Sequence, residues 1–346
     1  MNYEQFTPNN KNIFLVDMTK EKNKIFSELT LKWIKKYLSL WKKIWIIVNK
    51  KWFSTGVICE DCWNVPKCKN CDVSIAYHLN TSWETFWLCH LCKTHYNTFS
   101  SCPKCWWYNI NQYWFWTQKI KEQINNLTWI KPLIIESKTV NSPNKIQKIN
   151  NIINNYQIII WTSLLTTPIT QNKFDLVIFL NADIGLNIPD FNANFNNFIF
   201  LYEAFEKHST QNFIVQTFNP QNYSIKDACK MDFEWFREKE LKYRKIYKYP
   251  PYTEICVIMY KNEIEEKLFN KVNTLYQDLL FLKEKSEFKD IEIFSTPPMV
   301  YKMFGKYRYN IIIKSKDLRQ FMDFAFVKLR IFEKWFKIDR EPNNLV

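Results

Sequence analysis

Four pairs of cysteines decide how the chain is read: Cys59-Glu-Asp-Cys62, Cys68-Lys-Asn-Cys71, Cys89-His-Leu-Cys92 and Cys102-Pro-Lys-Cys105. Two residues between thiolates let a tight knuckle aim both sulfurs at one metal, and two knuckles close a four-sulfur zinc site. Four pairs therefore supply two closed sites with no sulfur to spare. Spacing alone does not choose which pair joins which. Regular Cys-x-x-Cys pairs in a chain without a secretory leader read as zinc ligands rather than disulfides. A closed site keeps no open position, so the expected role is structural and no metal catalysis is expected. Cys229 and Cys256 lie outside the block and are expected to be core thiols. His78 and His90 lie within it, but eight sulfurs already complete both sites.

Outward from the block, short apolar runs alternate with helical periodicity. Ile13–Val16, Ile44–Val48, Leu133–Ile135, Ile158–Ile160, Leu176–Leu180 and Phe213–Gln216 read as strands. Lys22–Leu40, Lys119–Leu127, Pro143–Ile153 and Asn194–Lys207 read as helices. Short apolar strands separated by helices predict a parallel sheet covered on both faces. The cysteine block then sits as an insertion in one α/β domain. A charged helix over Lys226–Lys248 is expected to end at Tyr249-Pro250-Pro251. Beyond it, strands at Glu254–Tyr260, Ile291–Phe294, Tyr309–Ile313 and Phe336–Asp339 and helices at Ile264–Leu282 and Leu318–Trp335 predict a small α+β domain. The expected layout is a loose tail over residues 1–10, an α/β domain over 11–57 and 113–225, the insert over 58–112, and a helix with the α+β domain over 226–346.

The 346 residues carry a net charge of +14, which favours a polyanionic partner, nucleic acid first. No apolar run approaches the roughly 20 residues of a membrane span. Met1-Asn-Tyr-Glu-Gln-Phe6 has no leader pattern, so a cytoplasmic setting is expected. Glycine occurs 3 times and tryptophan 15 times. An ordinary chain of this length carries about 7% glycine, and tight turns need its positive φ. Trp63 follows Cys62, Trp106 follows Cys105, and Trp161 ends an apolar strand, all places where glycine is physically expected. The pattern predicts a gene that spells glycine with UGA, printed here as tryptophan.

Several motifs then fall in order, and together the chain resembles the C-terminal half of the PriA family of replication restart helicases (primosomal protein N-prime). The family's Asn-Arg-Arg-Gly segment is Asn49-Lys-Lys-Trp52 here, and its Tyr-His between the second and third cysteine pairs is Tyr77-His78. Its Gly-x-Gly-Thr is Trp114-Phe-Trp116-Thr117, and its Gly-Thr after a strand is Trp161-Thr162. Asn181-Ala-Asp183, Pro189-Asp-Phe191, Gln216-Thr217 with Pro220, Glu240-Leu-x-x-Arg244, Tyr249-Pro-Pro251, Gly305-Lys-Tyr-Arg308 and Ile338-Asp-Arg-Glu-Pro342 follow. Family glycines fall on Trp52, Trp63, Trp106, Trp114, Trp116 and Trp161, which supports the recoding. The resemblance covers about residues 11–345. It implies a second RecA-like helicase lobe with a parallel sheet, an inserted double zinc module and a small α+β C-terminal domain. It also implies how the cysteines pair: Cys59, Cys62, Cys102 and Cys105 hold one Zn2+, and Cys68, Cys71, Cys89 and Cys92 hold the other.

The departures bear on chemistry. ATP hydrolysis in such helicases draws on a glycine-rich phosphate loop ending in Gly-Lys-Ser/Thr and on acidic Mg2+ ligands. No such loop is present, even with every tryptophan read as glycine. The family's arginine finger lies in a Gln-Val-Ala-Gly-Arg-Ala-Gly-Arg motif, and the matching Leu201–His208 contains no arginine. Lys207 and His208 do not offer its planar fork. The family's Lys-Gly-His is replaced around Thr167, Pro168 and Ile169, and its arginine after Pro-Asp-Phe by Asn192. No catalytic residue is therefore expected here, and ATP with Mg2+ is expected only with a partner chain that supplies helicase lobe 1. The leading expectation is a replication restart protein binding branched or single-stranded DNA, primosome proteins and single-strand-binding protein. Its DNA contacts would come from Lys50, Lys51, Lys67, Lys69, Lys104, Tyr108 and Tyr113. The alternatives are the second half of a split 3′–5′ helicase completed in trans, and a zinc-stabilised protein-interaction module.

Overall fold

The computed structural model describes residues 2–23, 25–48, 57–59, 68–69, 76–79, 85–88, 94–96, 101, 105–106, 110–112, 115–135, 143–161, 173–183, 186, 190–288, 290–298, 300–329, 336–340 and 342. They form β1 (Tyr3–Phe6), β2 (Asn12–Asp17), α1 (Glu28–Ser39), β3 (Ile44–Ile47), β4 (Val57–Cys59), β5 (Ala76–Leu79), β6 (Thr85–Leu88), β7 (His95–Tyr96) and β8 (Ile110–Gln112). Next come α2 (Phe115–Thr128), β9 (Leu133–Ile135), α3 (Pro143–Ile153), β10 (Ile158–Trp161), β11 (Leu176–Phe179), α4 (Ala193–Lys207), β12 (Asn212–Thr217), α5 (Tyr223–Lys230) and α6 (Phe233–Ile246). The chain ends with β13 (Glu254–Asn262), α7 (Glu265–Lys285), β14 (Glu292–Thr296), β15 (Lys302–Met303), β16 (Lys306–Ser315), α8 (Leu318–Leu329) and β17 (Phe336–Arg340). Contacts divide the chain into two units, residues 1–54, 113–188 and 193–240, and residues 55–112, 189–192 and 241–346.

The first unit holds a seven-stranded sheet in the order β1-β2-β12-β11-β3-β10-β9. Its pairs are parallel except β1 with β2. The predicted parallel sheet is thus present, and its unbroken apolar runs have a simple cause: alternate residues feed different faces. Ile13, Leu15, Trp45, Ile47, Ile159, Val177, Phe179, Phe213 and Val215 join one core with Phe198, Leu201 and Phe205 of α4 and Ile225 and Cys229 of α5. Phe14, Val16, Ile44, Ile46, Ile158, Ile160, Leu176, Ile178 and Ile214 join the other with Ile34 and Tyr37 of α1 and Ile120 and Ile124 of α2.

Three expectations need correction. Residues 3–6 are not tail but an edge strand, paired Tyr3↔Val16 through Phe6↔Ile13. The first helix starts at Glu28 rather than Lys22. The Asn23 side chain accepts from the amides of Ile25 and Phe26, holding a turn, and Ser27 then caps α1 by accepting from the Thr30 amide. The charged helix expected over 226–248 is two helices. Met231 takes a left-handed conformation (φ 54) at the end of α5, and the Asp232 side chain caps α6 by accepting from the Trp235 amide.

In the second unit, β14-β16-β13-β17 form an antiparallel sheet, with β15 added to β16. One face packs Cys256, Ile258, Ile293, Ile311 and Ile313 against Leu268, Val272 and Leu279 of α7 and Phe321 and Met322 of α8. Ile255, Val257 and Ile312 face the other way, towards Phe191 and Tyr249. Cys229 and Cys256 are fully buried, one in each unit, as expected of core thiols. Within the cysteine block, β4 pairs antiparallel with β8, so the entry and exit strands are zipped together (Val57↔Gln112, Cys59↔Ile110). β5, β6 and β7 form a separate meander with Tyr77 opposite Trp87. None of these short strands was anticipated. No helix among the described residues is long and apolar enough to cross a membrane.

Candidate nucleic-acid interface and metal-binding block

Of the expected zinc ligands, Cys62, Cys71, Cys89, Cys92 and Cys102 lie outside the described residues. Cys59 is placed by its backbone in β4. Cys68 is buried with Sγ 3.0 Å from the Tyr96 hydroxyl, which also accepts from the Lys69 amide at 3.1 Å; Cys105 is half-buried. No cluster of three or more metal-ligating side chains occurs among the described residues. In type, the eight cysteines of the four Cys-x-x-Cys pairs are donors of the kind that zinc takes. Lys50, Lys51, Lys67, Lys104, Tyr108 and Tyr113 also lie outside the described residues, as do Trp52, Trp63 and Trp114. Lys69 is exposed.

The motif residues at the carboxyl end of the parallel sheet are placed clearly, and they are latches. Gln216, at the end of β12, is fully buried. Its Oε1 accepts from the Ser27 amide (2.9 Å) and the Thr30 hydroxyl (2.6 Å), and its Nε2 donates to the carbonyls of Ile25 (2.8 Å) and Leu180 (3.2 Å). The Asp183 carboxylate accepts from the Thr217 hydroxyl at 2.5 Å and the Phe218 amide at 2.7 Å. The Asn181 side chain accepts from the Asp183 amide. Where an arginine finger was sought, Lys207 is tied to Glu203 at 2.6 Å, one helical turn back. His208 is buried edge-on against Trp45 (4.7 Å), and burial, then the Lys11 charge, lower its pKa to about 4.

In the second unit, Arg244 joins two motifs. Its guanidinium donates to the Asn192 side chain (2.8 Å) and the Pro250 carbonyl (3.1 Å) and lies over Phe191. Phe191 stacks on Tyr249 at 5.2 Å, and Lys314 Nζ sits 3.7 Å from the centre of the Tyr249 ring. Pro-Asp-Phe and Tyr-Pro-Pro are therefore parts of one clamp over the second face of the antiparallel sheet.

The feature not given a role from sequence is the β15–β16 hairpin, which carries Gly305-Lys-Tyr-Arg308. Phe304 and Gly305 both take positive φ (52 and 78) in a two-residue turn between Met303 and Lys306, the geometry that suits the twist of a hairpin. Phe304 is exposed at the tip. Tyr301 packs against Tyr307 and Tyr309, with ring centres 5.6 and 6.4 Å away, and Phe269 meets Tyr309 edge-on. Lys302 Nζ lies 4.4 Å from the centre of the Tyr307 ring. The Arg308 guanidinium rests on the sulfurs of Met303 and Met259 (3.5 and 3.6 Å), and burial lowers its pKa. Among the described residues it meets no carboxylate in an ion pair. Two acids stand nearby: Glu263 faces Lys306 at 3.5 Å, and Glu265 accepts from the Tyr301 hydroxyl at 2.7 Å. Burial, then that carboxylate, push the Tyr301 phenol up to about 12. The signal was in the sequence: a Phe-Gly turn flanked by alternating tyrosines and cations.

These features define a mixed α/β protein with a parallel seven-stranded sheet, a separate antiparallel sheet and a cysteine-rich block. No family model matches the chain. It is 30% identical to the replication restart protein PriA of Borreliella burgdorferi over 321 residues, covering 89% of this chain and 46% of that protein. It is 28% identical to PriA of Thermotoga maritima (92% of this chain, 42% of that protein) and 26% identical to PriA of Rickettsia conorii (96% and 52%). The chain is PriA-like over most of its length and spans about half the length of the relatives it matches.

Proposed function

We propose that the chain is the zinc-bearing second helicase lobe and C-terminal domain of a PriA-like replication restart protein, and that it binds branched or single-stranded DNA. In this reading Cys59, Cys62, Cys102 and Cys105 hold one zinc ion and Cys68, Cys71, Cys89 and Cys92 the other. Zinc bound there stabilises the insert and takes no part in a reaction. The geometric observation that carries the DNA reading is the β15–β16 hairpin. It brings together the exposed ring of Phe304, three tyrosines, and the cations Lys302, Lys306 and Arg308. Unpaired bases stack on such rings, and phosphates pair with such cations. Arg308 supports it further, because a partly buried guanidinium that meets no carboxylate among the described residues suits an incoming phosphate. The +14 net charge acts in the same direction at longer range.

These 346 residues alone contain no phosphate loop and have lysine and histidine where the arginine finger is sought. An arginine finger accelerates phosphoryl transfer by roughly 10³ to 10⁵, so ATP turnover by these residues alone is expected to be negligible. Primosome proteins and single-strand-binding protein, the partners that the resemblance implies, belong to the same proposal. The test is forked-DNA binding across a salt titration, comparing the wild type with Phe304→Ala and Arg308→Ala. Steep salt dependence, with weaker binding by both variants, is expected. Arg308→Ala should also flatten the salt slope, since a phosphate contact is lost. Binding that is flat in salt and unchanged in both variants would exclude the hairpin.

A further inference from the structure

We infer that positions 41, 106 and 129 are glycine in the natural protein, its gene spelling glycine with UGA. Each of these tryptophans is left-handed: φ is 54 at Trp41, 64 at Trp106 and 58 at Trp129. The two helical cases are complete capping motifs. After α1, the Trp41 amide donates to the Leu38 carbonyl (3.0 Å) and the Lys42 amide to the Tyr37 carbonyl (2.9 Å). That pair of bonds is the Schellman motif, with Trp41 at the position glycine usually fills. After α2, the Trp129 amide donates to the Asn125 carbonyl (2.8 Å), the single bond of the left-handed cap, again with tryptophan at the glycine position. Trp41 and Trp129 were not among the positions suggested by motif comparison; the backbone finds them independently.

Left-handed backbone alone does not exclude a side chain. Met231 closes α5 in the same conformation, Lys248 (φ 50) and the hairpin's Phe304 (φ 52) adopt it too, and Asn9 and Asn10 are of a type that tolerates it. What separates the tryptophans is that the strain goes uncompensated. Their rings are 84%, 75% and 90% exposed at 41, 106 and 129, so the bulkiest apolar side chain stands in water and packs against almost nothing. Large residues in this region of φ are outliers that need a reason, and such exposure leaves little packing to supply one. Gly305, a printed glycine, occupies φ 78, where such a residue belongs. Trp161 adds an observation of another kind. It is buried against Trp45, and its indole N–H, like that of Trp45, has no acceptor among the described residues. A buried donor without a partner is costly, and glycine at 161 removes it.

The deciding experiment is peptide mass spectrometry of the protein isolated from its own cells, read beside the codons. Glycine is expected at 41, 106 and 129, each peptide lighter by the mass of the indole side chain, with UGA in the gene. Tryptophan in those peptides, or UGG codons, overturns the inference. A second measurement compares the printed sequence with a W41G/W129G variant expressed from ordinary glycine codons. The variant should unfold at a higher temperature. An equal or lower midpoint overturns the claim that the two caps demand glycine. Neither measurement depends on DNA binding.

Discussion

Replacing Gln216 by leucine tests the latch at the carboxyl end of the parallel sheet. The two side chains are of similar size, so packing is nearly kept while four hydrogen bonds go. The Thr30 hydroxyl keeps a partner in Ser27 Oγ at 2.8 Å. The Ser27 amide and the Ile25 and Leu180 carbonyls lose their glutamine partner in a site with no solvent contact. A stranded buried group costs about 1–3 kcal/mol. Three such groups, with the carbonyls taken at the low end, give a loss of ~4 kcal/mol, near the top of what single substitutions do. With a urea slope of ~2 kcal/mol/M, the unfolding midpoint of the unit falls by ~2 M. Native-state hydrogen exchange should show the same loss at the amides of Ser27 and Thr30. Gln216→Glu is expected to do no better than leucine, because it turns the donor facing two carbonyls into an acceptor. A midpoint within ~0.3 M of wild type would refute the argument.

Acid should weaken the first unit through His208, whose pKa falls from 6.5 to about 4 on folding. Its stability contribution is complete above pH 6.5 and is lost as pH falls towards 4, because the unfolded chain takes up the proton first; the loss is about 3 kcal/mol. His208→Leu should flatten that limb of the stability–pH curve, and an unchanged slope would remove histidine as its cause. Lys239 Nζ lies 3.0 and 2.8 Å from the two oxygens of Asp227, whose side chain is 1% exposed. Lys239→Met leaves that carboxylate unpaired and should cost ~2–3 kcal/mol, less than a fully buried pair because the lysine is partly solvated; thermal unfolding reads it. Native mass spectrometry should find two zinc ions per chain. Stripping them with a chelator should cost the β4–β8 pairing its exchange protection while the seven-stranded sheet keeps its own; zinc-free protein with unaltered protection at β4 and β8 would count against metal as the insert's support.

Much of the parallel sheet was legible because burial on both faces writes an unbroken apolar run, as at Ile158–Ile160 and Leu176–Phe179. The misreadings share a cause, which is that side-chain hydrogen bonds leave no hydrophobic period. Ile25 and Phe26 continue the apolar stripe of α1 and fill the same core, yet they lie in a turn held by the Asn23 side chain. The break between α5 and α6 falls at Met231, a residue that gives no warning of a left-handed turn. β1 was missed because a four-residue edge strand with Glu4 and Gln5 outward carries little apolar signal. The cysteine spacing stands apart because metal ligation, where it occurs, fixes residue type and separation directly; Cys62, Cys71, Cys89, Cys92 and Cys102 lie outside the described residues, so the zinc reading remains a proposal. The hairpin was half legible. Gly305 and its tyrosines stood out as a motif, but the packing of Tyr301 on Tyr309 and of Arg308 on two methionines is tertiary.

The motifs that the chain shares with PriA divide by what they do, and the division limits how far the likeness reaches. Gln216, Asp183 and Thr217 tie the ends of strands together, while Arg244, Phe191 and Tyr249 close a clamp; each acts on the protein's own backbone or rings. Identity of 24–30% over about 90% of the chain argues for a common scaffold, and within this chain a lost latch costs stability whatever the activity. It argues less for a common motor. The groups that act on a transferring phosphoryl are a different set, and here lysine and histidine stand where the family's arginine is sought, one held by Glu203 and the other inside the core. A cation engaged by a neighbouring carboxylate and an imidazole kept neutral by burial offer little charge to a phosphate. Arg308 of the hairpin differs in this respect, because among the described residues it meets no carboxylate in an ion pair. If DNA is what the chain holds, that is where selection on charge should be felt.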